Sequence, residues 1–540
     1  MKLSSPIPLL VALLSLNLTP VVTALAQVSP KSLESLVIQE GGRKKPYLVF
    51  TEETLRSLSG KTALNLDGQN QDAMTVITGL WMNPDDSWKG KELILVSNRP
   101  LRQLIGLDPV RKLYSWNALS SNEVLAKEVT EAATVRRRDP KAKLVGIQKE
   151  ASDVGMRMGL FEELLKGSDF KIIAPLSGND WLTSAQIDPS EGKEIIESVE
   201  SMRSAWKAND SIRFDQATSA LLSLQKQVGG LPSDWKTSLE IAYQKAHPFR
   251  WAWILYAAAG IILLLSRNSW ERLGYQLSWV LAGSGFLLQA AGLLSRVLIA
   301  GRPPVTNMYE SVIWVAFGTI LFALIFETIY KAGSFLLGAV PVAVASLILA
   351  DSQPVILDHS IHPLTPVLRD NFWLSTHVLS ITLSYAAFAL SLGVAHIALA
   401  QVIAGRKPTA TLYTYLYKTL QVGVLLLAVG TILGGVWANY SWGRFWDWDP
   451  KETWALTALL GYLFLLHGRI SGLWGGFGLA VGSVIAFMSV LMAWYGVNFV
   501  LGAGLHSYGF GTGGFSLVAI FVGCELLFVL LSLWRKSANL

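Results

Sequence analysis

The chain has 540 residues, of which 51% are hydrophobic and only 16% are charged. About 25% of the residues in a soluble globular chain are charged, so this composition excludes an ordinary soluble protein. The formal net charge of +6 is modest, and many of the cations separate apolar runs. That pattern predicts a protein embedded in a lipid bilayer and gives no indication of nucleic-acid binding.

The first residues form a signal-peptide pattern. Lys2 precedes the apolar stretch Leu9–Leu16, and small residues follow at Thr23–Ala26. A cationic start, an apolar middle and small residues near a cleavage site are typical of secretory signals, so residues 1–26 are expected to be one. The alternative is an uncleaved anchor. In both cases the following residues are exported.

Residues 27–249 carry most of the charge and alternate between two kinds of pattern. Short alternating runs such as Leu93–Val96 indicate strands, and longer periodic patches such as Glu191–Trp206 indicate helices. We therefore expect an extracytoplasmic α+β domain. It contains no Gly-rich phosphate loop and no catalytic-triad pattern, which favours a docking or scaffolding role.

From residue 250 to residue 540 the sequence predicts a polytopic α-helical membrane protein with about nine transmembrane helices. Each apolar stretch is about long enough to cross a bilayer. The stretches are 251–266, 275–299, 310–330, 334–350, 372–403, 420–439, 453–470, 476–499 and 514–534.

Cations follow every second stretch, which predicts the orientation by the positive-inside rule. These cations are Arg267, Arg272, Lys331, Arg406, Lys407, Arg469, Arg535 and Lys536. With the first domain outside, the C-terminus is expected in the cytoplasm. The loops 301–309, 351–371, 440–452 and 500–513 then all face outside, and they hold most of the unusual residues.

The segment 437–454 is the strongest local signal, because five of its eighteen residues are tryptophan. An aromatic belt at the membrane interface accounts for one or two tryptophans but not for five interleaved with charges. Flat aromatic side chains offer a stiff apolar surface, and Arg444 is suited to a bidentate contact with a carboxylate. A flat apolar ligand with acidic edges, such as haem, matches this combination.

Two histidines are expected at the same depth as the tryptophan segment. His377 begins the fifth stretch, and His506 follows the eighth. Two facing imidazoles can ligate haem iron axially, whereas a single interfacial histidine is usually only a polar residue at a polar boundary. His467 lies inside the seventh stretch and is a candidate for an inner haem site, with a second ligand from another chain or from His396.

The remaining histidines and the one cysteine carry less information. His247, His359 and His362 lie in polar outer segments and are interpreted as surface residues. Cys524 lies in an apolar run and is expected to be a small buried residue. A single cysteine excludes an internal disulfide, a CxxC site and a CxxCH haem-attachment motif.

The run Trp437–Trp454 resembles the tryptophan-rich "WWD" signature of the cytochrome c assembly family. Asn307–Ser311, Trp373–Val378 and Gly496–Gly509 are further matches, and together they extend over roughly residues 250–530. The set is similar to the membrane component of the two-part (System II) cytochrome c synthase.

This resemblance implies roles for particular residues. The two outer histidines would be paired axial ligands, the tryptophan segment the haem platform, and His467 an intramembrane ligand. The haem-binding residues expected in this chain are His377, His506, His467, Trp437, Trp442, Trp446, Trp448, Trp454, Asp449 and Arg444.

The resemblance also implies a function in cytochrome c biogenesis. Haem b would enter near the inner histidine, move to the outer platform and be presented to the CxxCH of apocytochrome c for thioether attachment. A companion membrane subunit of the synthase is expected to supply the missing inner ligand, and a thiol-reducing partner to keep the substrate cysteines reduced. The chain would then act within a holocytochrome c synthase (haem lyase).

Other functions remain open. The same platform would serve a haem exporter or carrier without synthase activity, and a non-catalytic structural membrane subunit would use its aromatic residues only as anchors. A generic small-molecule transporter is disfavoured, because the two halves of the membrane part show no matching broken stretches.

Overall fold

The computed structural model describes residues 28–538 except for 140–141, 143, 169, 176–179, 191, 267–269, 354–355, 365–367 and 502–513. The predicted signal peptide and His506 therefore lie outside the described residues.

The N-terminal part, up to the first long apolar helix, contains short strands and amphipathic helices. The strands are β1 Val37–Glu40, β2 Arg43–Pro46, β3 Ala63–Leu66, β4 Gln69–Asp72, β5 Glu92–Leu95, β6 Leu113–Ser115, β7 Lys171–Ile173 and β8 Leu182–Thr183. The helices are α1 Tyr47–Ser59, α2 Ala73–Met82, α3 Arg99–Leu104, α4 Trp116–Ser120, α5 Glu123–Arg138, α6 Gly146–Lys166, α7 Lys193–Ala208, α8 Ser211–Val228 and α9 Asp234–Ala246. The strands pair in order, each pair antiparallel. The predicted α+β architecture of this part is confirmed.

One hydrophobic core holds the N-terminal domain together. The rings of Trp81 and Phe170 stack at its centre, with centroids 4.7 Å apart. The buried Gln225 amide accepts from the backbone N–H of Val37 and donates to the carbonyl oxygens of Val37 and Ile172. Because every polar atom of this amide has a partner, it ties α8 to β1 and β7 without leaving an unsatisfied buried group.

The C-terminal part is helical. Its helices are α10 Pro248–Leu265, α11 Glu271–Ala300, α12 Met308–Tyr330, α13 Ser334–Ser352, α14 Asn371–Trp373, α15 Leu379–Ile403, α16 Ala410–Trp442, α17 Pro450–Ile470, α18 Gly476–Leu491 and α19 Phe515–Ala538. A π-helical segment, Leu374–Val378, joins α14 to α15, and a second, Met492–Leu501, continues α18.

Nine helical segments in the described part of the chain are long and apolar enough to cross a bilayer, which confirms a multi-pass membrane protein. The sixth predicted stretch was too short, because α16 continues as a helix through the polar, tyrosine-rich residues 410–419. α9 and α10 run on from each other with His247 between them in a left-handed conformation. The domain boundary at residue 249 stays a prediction.

Close backbone contacts pack the membrane helices. Gly338 on α13 meets Gly393 on α15, and a Cβ on Gly338 would lie only 2.9 Å from the Gly393 backbone. Small residues allow this approach, which is how helices associate where water supplies no hydrophobic driving force. Phe388 of α15 stacks on Tyr462 of α17 with ring centroids 3.7 Å apart. Cys524 was predicted to be buried but is exposed on α19, because its side chain lies on the outward face of that helix.

A buried ion pair lies where the domain meets the membrane helices. Arg296 of α11 and Glu310 of α12 are 2.7 Å apart, and each side chain is only 1% exposed. Arg296 also donates to the hydroxyl of Tyr243 on α9 and to the carbonyl of His359. Glu310 accepts from the backbone and hydroxyl of Thr306. This network fixes the loop before α12 against the domain.

His359 is not the surface residue that the sequence predicted. Its side chain is partly buried and contacts Arg56 of the N-terminal domain. Burial, followed by the nearby Arg56 charge, holds the pKa of His359 well below its ordinary value, so the ring is neutral at neutral pH. This histidine is therefore a contact between the domain and the membrane part. His247 and His362 are exposed, as interpreted.

Candidate functional site

A cavity lies at the end of the helical bundle that carries the N-terminal domain, and we call it the domain-side cavity. It has a volume of about 1030 Å³ counted out to its open mouth. Segments far apart in the sequence contribute to its wall: Val305–Met308, Leu374, His377, Thr431, Gly434, Trp437, Trp446, Lys451, Glu452, Trp494 and Asn498. All four predicted outer loops, or the helix ends next to them, thus converge on one space.

His377 lies in the wall of this cavity, in the π-helical segment that leads into α15. Its Nδ1 donates to the carbonyl oxygen of Gly430 on α16 over 2.8 Å. In that tautomer Nε2 is the metal-binding nitrogen, and a hydrogen bond from Nδ1 to a backbone carbonyl is the usual support of a ligating imidazole. Short π-helical segments are rare, and many of those that do occur lie at functional sites.

Glycines on α16 make room for this imidazole. A Cβ on Gly434 would lie 2.6 Å from Cε1 and 3.0 Å from Nδ1 of His377. A Cβ on Gly430 would lie 2.9 Å from the backbone of Ile381. Since such distances are shorter than real Cβ contacts, glycine is required at both positions. The dipeptide Gly434-Gly435 was the sequence signal for this feature, although its role was not predicted.

Only part of the predicted tryptophan platform faces the cavity. Trp437 and Trp446 line it, whereas Trp442, Trp448 and Trp454 lie outside its lining. Trp437 is buried and lies 5.6 Å from the His377 ring, centroid to centroid. A further tryptophan, Trp373, stacks on Trp437 at 6.4 Å and 10°.

Trp448 is 69% exposed and has a φ of +57°. A bulky residue with a left-handed backbone is strained by roughly 1–3 kcal/mol, and such residues concentrate at functional sites. Its ring meets Trp446 edge-on at 6.0 Å. The strained residue therefore braces one wall tryptophan from outside the cavity.

The charged residues of the segment have mainly helix-capping contacts. Asp449 is buried at the N-cap of α17, and Glu452 completes a capping box by accepting from the backbone N–H of Asp449. Arg444 lies 3.5 Å from both Asp447 and Glu452 and over the ring of Trp442. These contacts hold the segment in shape and direct Arg444 to protein carboxylates.

Lys451, which was not predicted, lines the cavity from the first turn of α17. The available sequence signal was its position: Asp449-Pro450 predicts the start of a helix, so Lys451 is expected in the first turn, next to the outer loop. Its ammonium is therefore better placed than the Arg444 guanidinium for an acidic group inside the cavity.

The opposite wall was indicated in the sequence only by the similarity of Asn307–Ser311 and Gly496–Gly509, and Trp494 was not predicted. Trp494, in the second π-helical segment, donates from Nε1 to the hydroxyl of Ser311 over 2.9 Å. Asn498 donates to the carbonyl of Trp494 and lies on the cavity wall. The bond between Trp494 and Ser311 joins the first turn of α12 to the π-helical segment that continues α18.

The two intramembrane histidines lie apart from this cavity. His467 is exposed near the opposite end of α17, and its Nδ1 donates to the carbonyl of Leu463. His396 on α15 lies 2.9 Å from a carboxylate oxygen of Glu525 on α19. The contacts of His396 are thus with α19, and those contacts give no support to a pairing with His467.

The domain-side cavity suits a flat, largely apolar ligand that carries a metal and acidic groups. Its walls are mostly apolar and aromatic, its single described imidazole is oriented by a backbone carbonyl, and one ammonium lies on the wall. Haem has these properties, and a histidine supplies an axial ligand to its iron.

Comparison with known proteins agrees with this chemistry. The family model described as Cytochrome C assembly protein matches residues 305–506. The cytochrome c biogenesis protein CcsA of Guillardia theta is 34% identical over 244 residues, which are 40% of this chain and 79% of that protein. CcsA of Synechococcus sp. (strain CC9605) is 32% identical over 309 residues, which are 48% of this chain and 98% of that protein.

A longer relative covers the N-terminal domain as well. Protein NrfI of Wolinella succinogenes is 30% identical over 532 residues, 90% of this chain, and the chain spans 55% of NrfI. The chain belongs to the cytochrome c assembly protein family. The predicted family and its place in cytochrome c biogenesis are confirmed.

Proposed function

We propose that this protein binds haem b in the domain-side cavity and presents it for thioether attachment to the CxxCH motif of apocytochrome c. The observation that carries the proposal is the His377 imidazole in the wall of an apolar, tryptophan-lined cavity, with Nδ1 held by the Gly430 carbonyl. Haem is a substrate here, and the protein's part is to position it and keep competing groups away.

His506 is proposed as the second axial ligand. It lies outside the described residues, but it follows the cavity residue Asn498 by eight positions in the chain. Trp437 and Trp446 would contact the faces and edges of the macrocycle, and Lys451 a propionate.

The bond-forming step needs little chemistry from the chain itself. Each substrate thiol adds across a haem vinyl group, so one S–C bond forms and the thiol hydrogen ends on the neighbouring carbon. No oxidant is consumed, and the chain's single cysteine lies on α19, away from the cavity wall. The thiols therefore come from the substrate, and a separate reducing partner would keep them reduced.

The proposed orientation puts the domain and the domain-side cavity on the extracytoplasmic face of the bacterial inner membrane. Its support is the alternation of cations along the sequence together with the convergence on one cavity of the helix ends opposite to those cations. In this orientation His467 lies toward the cytoplasm. Its exposure on α17 suits an inner haem site completed by a histidine of a companion synthase subunit.

The ligand assignment is tested by the absorption spectrum of the purified protein. His377→Ala and His506→Ala are each expected to lose most of the low-spin haem signal, and added imidazole is expected to restore part of it. His362→Ala is the matched control, because His362 is exposed and bonded to Asp358 in a loop. The assignment is wrong if both ligand variants keep the wild-type spectrum and still mature cytochrome c.

Synthase activity is tested separately from haem binding. The chain and its companion are expressed in a host without its own assembly system, and covalent haem in a reporter cytochrome is measured by haem-stained gels. Covalent product supports the proposal. Bound haem without covalent product supports the carrier, and a colourless purified protein supports the structural subunit.

A further inference from the structure

A second cavity lies between α12, α13, α15, α18 and α19, and we call it the central cavity. Its volume is about 1890 Å³ counted to its opening. Most of its wall is aliphatic or aromatic, and the proposed haem chemistry does not use it. Met308 and Trp494 belong to the walls of both cavities, so the two spaces are neighbours.

The central cavity opens sideways onto the lipid-facing surface. Leu264, Leu349, Leu517 and Phe521 line it and are also exposed on the outside of the bundle. These residues lie in apolar spanning helices, so the surroundings of the opening are the bilayer rather than water. A ligand for this cavity would therefore arrive dissolved in lipid.

One acid–base pair lies in this apolar space. His396 Nε2 is 2.9 Å from Glu525 Oε2, and the Glu525 side chain is 9% exposed. Nδ1 of the same ring donates to the carbonyl of Leu392, and Phe528 stacks on the ring at 4.8 Å. Ionisable groups inside a membrane are costly to keep and mark functional sites more often than not.

Depth and charge restrict the ligand that this pair can recognise. At 1.5 Å per residue, Glu525 lies about 15 Å from the start of α19 and about 20 Å from its end, which is far from phospholipid headgroups. The net charge of the pair is zero whether the proton lies on Glu525, which leaves both groups neutral, or on His396, which makes an ion pair. The favoured ligand is therefore neutral, and its few polar atoms are hydrogen-bonding oxygens.

We infer that the central cavity is a binding site for a lipid-soluble quinone, with the Glu525 carboxyl as the hydrogen-bonding partner of a ring oxygen and His396 holding that carboxyl in place. A quinone ring is flat and neutral, and it carries carbonyl or hydroxyl oxygens at its edge and an apolar tail. The ring would lie beside the His396–Phe528 stack, and the tail would leave through the opening between Leu349 and Phe521.

The test measures binding of decylubiquinone to the purified full chain in detergent, by radiolabelled ligand and by the shift of the thermal unfolding midpoint. The main variant is the double substitution His396→Leu/Glu525→Leu. Replacing both partners with apolar side chains avoids leaving one buried polar group unpaired, so the fold is expected to survive. Loss of the hydrogen bond to Glu525 is expected to weaken binding by about tenfold.

Ser295→Leu is the control, because Ser295 also lies in a spanning helix, also donates to the carbonyl four residues earlier and is not part of the central cavity wall. It is expected to bind the quinone like the wild type. Two results would overturn the inference: no quinone binding by the wild type, or equal quinone binding by the wild type and the double variant. The haem spectra of the His377 variants are independent of these results.

Discussion

The contact between Gly434 and His377 gives the most direct test of the proposed haem site. In Gly434→Ala the new methyl would lie 2.6 Å from Cε1 of the imidazole, and ordinary contact begins at about 3.4 Å. The ring must therefore move by about 0.8 Å or lose its hydrogen bond to Gly430. Binding sites tolerate displacements of only about 0.5 Å, so the haem affinity is expected to fall by about 10- to 100-fold.

The effect on folding is expected to be smaller than the effect on binding. Overpacking costs about 1–3 kcal/mol, while alanine in place of glycine gains about 1 kcal/mol of helix propensity. Gly461→Ala is the control. Gly461 lies on a different spanning helix, α17, and a Cβ there would meet nothing within 4 Å. It is expected to keep wild-type haem binding.

Haem titration followed by the Soret band gives the affinity of each variant, and thermal unfolding in detergent gives its stability. In a His377→Ala background the Gly434→Ala substitution should have little additional effect on affinity, since the clashing ring is absent. If Gly434→Ala binds haem as tightly as the wild type, then His377 does not ligate the iron in the geometry described here.

Two further predictions concern the junction between the domain and the membrane part. Arg296→Leu leaves the buried Glu310 unpaired and is expected to cost about 3–5 kcal/mol in unfolding free energy, whereas Arg296→Met/Glu310→Leu should recover most of this loss, as measured by thermal unfolding. The hydrogen bond from Asp358 raises the pKa of His362, and despite burial the His362 contact lowers the pKa of Asp358. The stability that the contact gains from charged His362 is thus fully present below the unfolded pKa of 6.5 and is lost as pH rises through the higher folded pKa. The stability gained from ionised Asp358 is lost only in acid. The difference in unfolding midpoint between the wild type and Asp358→Asn should shrink from about pH 6 to about pH 9, and a constant difference would contradict this assignment.

The sequence predicted the membrane helices well because their signal is one-dimensional. A run of about 20 apolar residues has few alternatives to a spanning helix, and cations mark alternate ends. The ends of α16 and α9 were harder to predict, because a helix continues into polar residues once its hydrogen-bond ladder is established. The amino-acid composition changes at the membrane–water interface, but the backbone hydrogen bonding of the helix continues across it. Composition alone therefore does not show where the helix ends.

The site was predicted only in part, because side-chain direction depends on local helix geometry. His377 and Trp437 come together as expected, but Trp448 and Arg444 belong to the outer surface and the capping network of the same segment. A count of tryptophans carries no information about which of them face inward. The π-helical segment Leu374–Val378, which shifts the register of His377 relative to α15, has no sequence signature of its own.

The position of the cavity follows from how a membrane part is built. Only at helix ends do loops, glycines and π-helical segments bring side chains from several spans to one depth, because lipid forces regular backbone elsewhere. The segments before α12, before α15, between α16 and α17 and after α18 all end on the same side, beside the N-terminal domain. The His396–Glu525 pair is the exception, since it puts two polar groups at mid-depth beside an opening to lipid. The two cavities differ in chemistry but share Met308 and Trp494 in their walls. A ligand from the bilayer and a ligand at the membrane surface would therefore contact the same two side chains without touching each other.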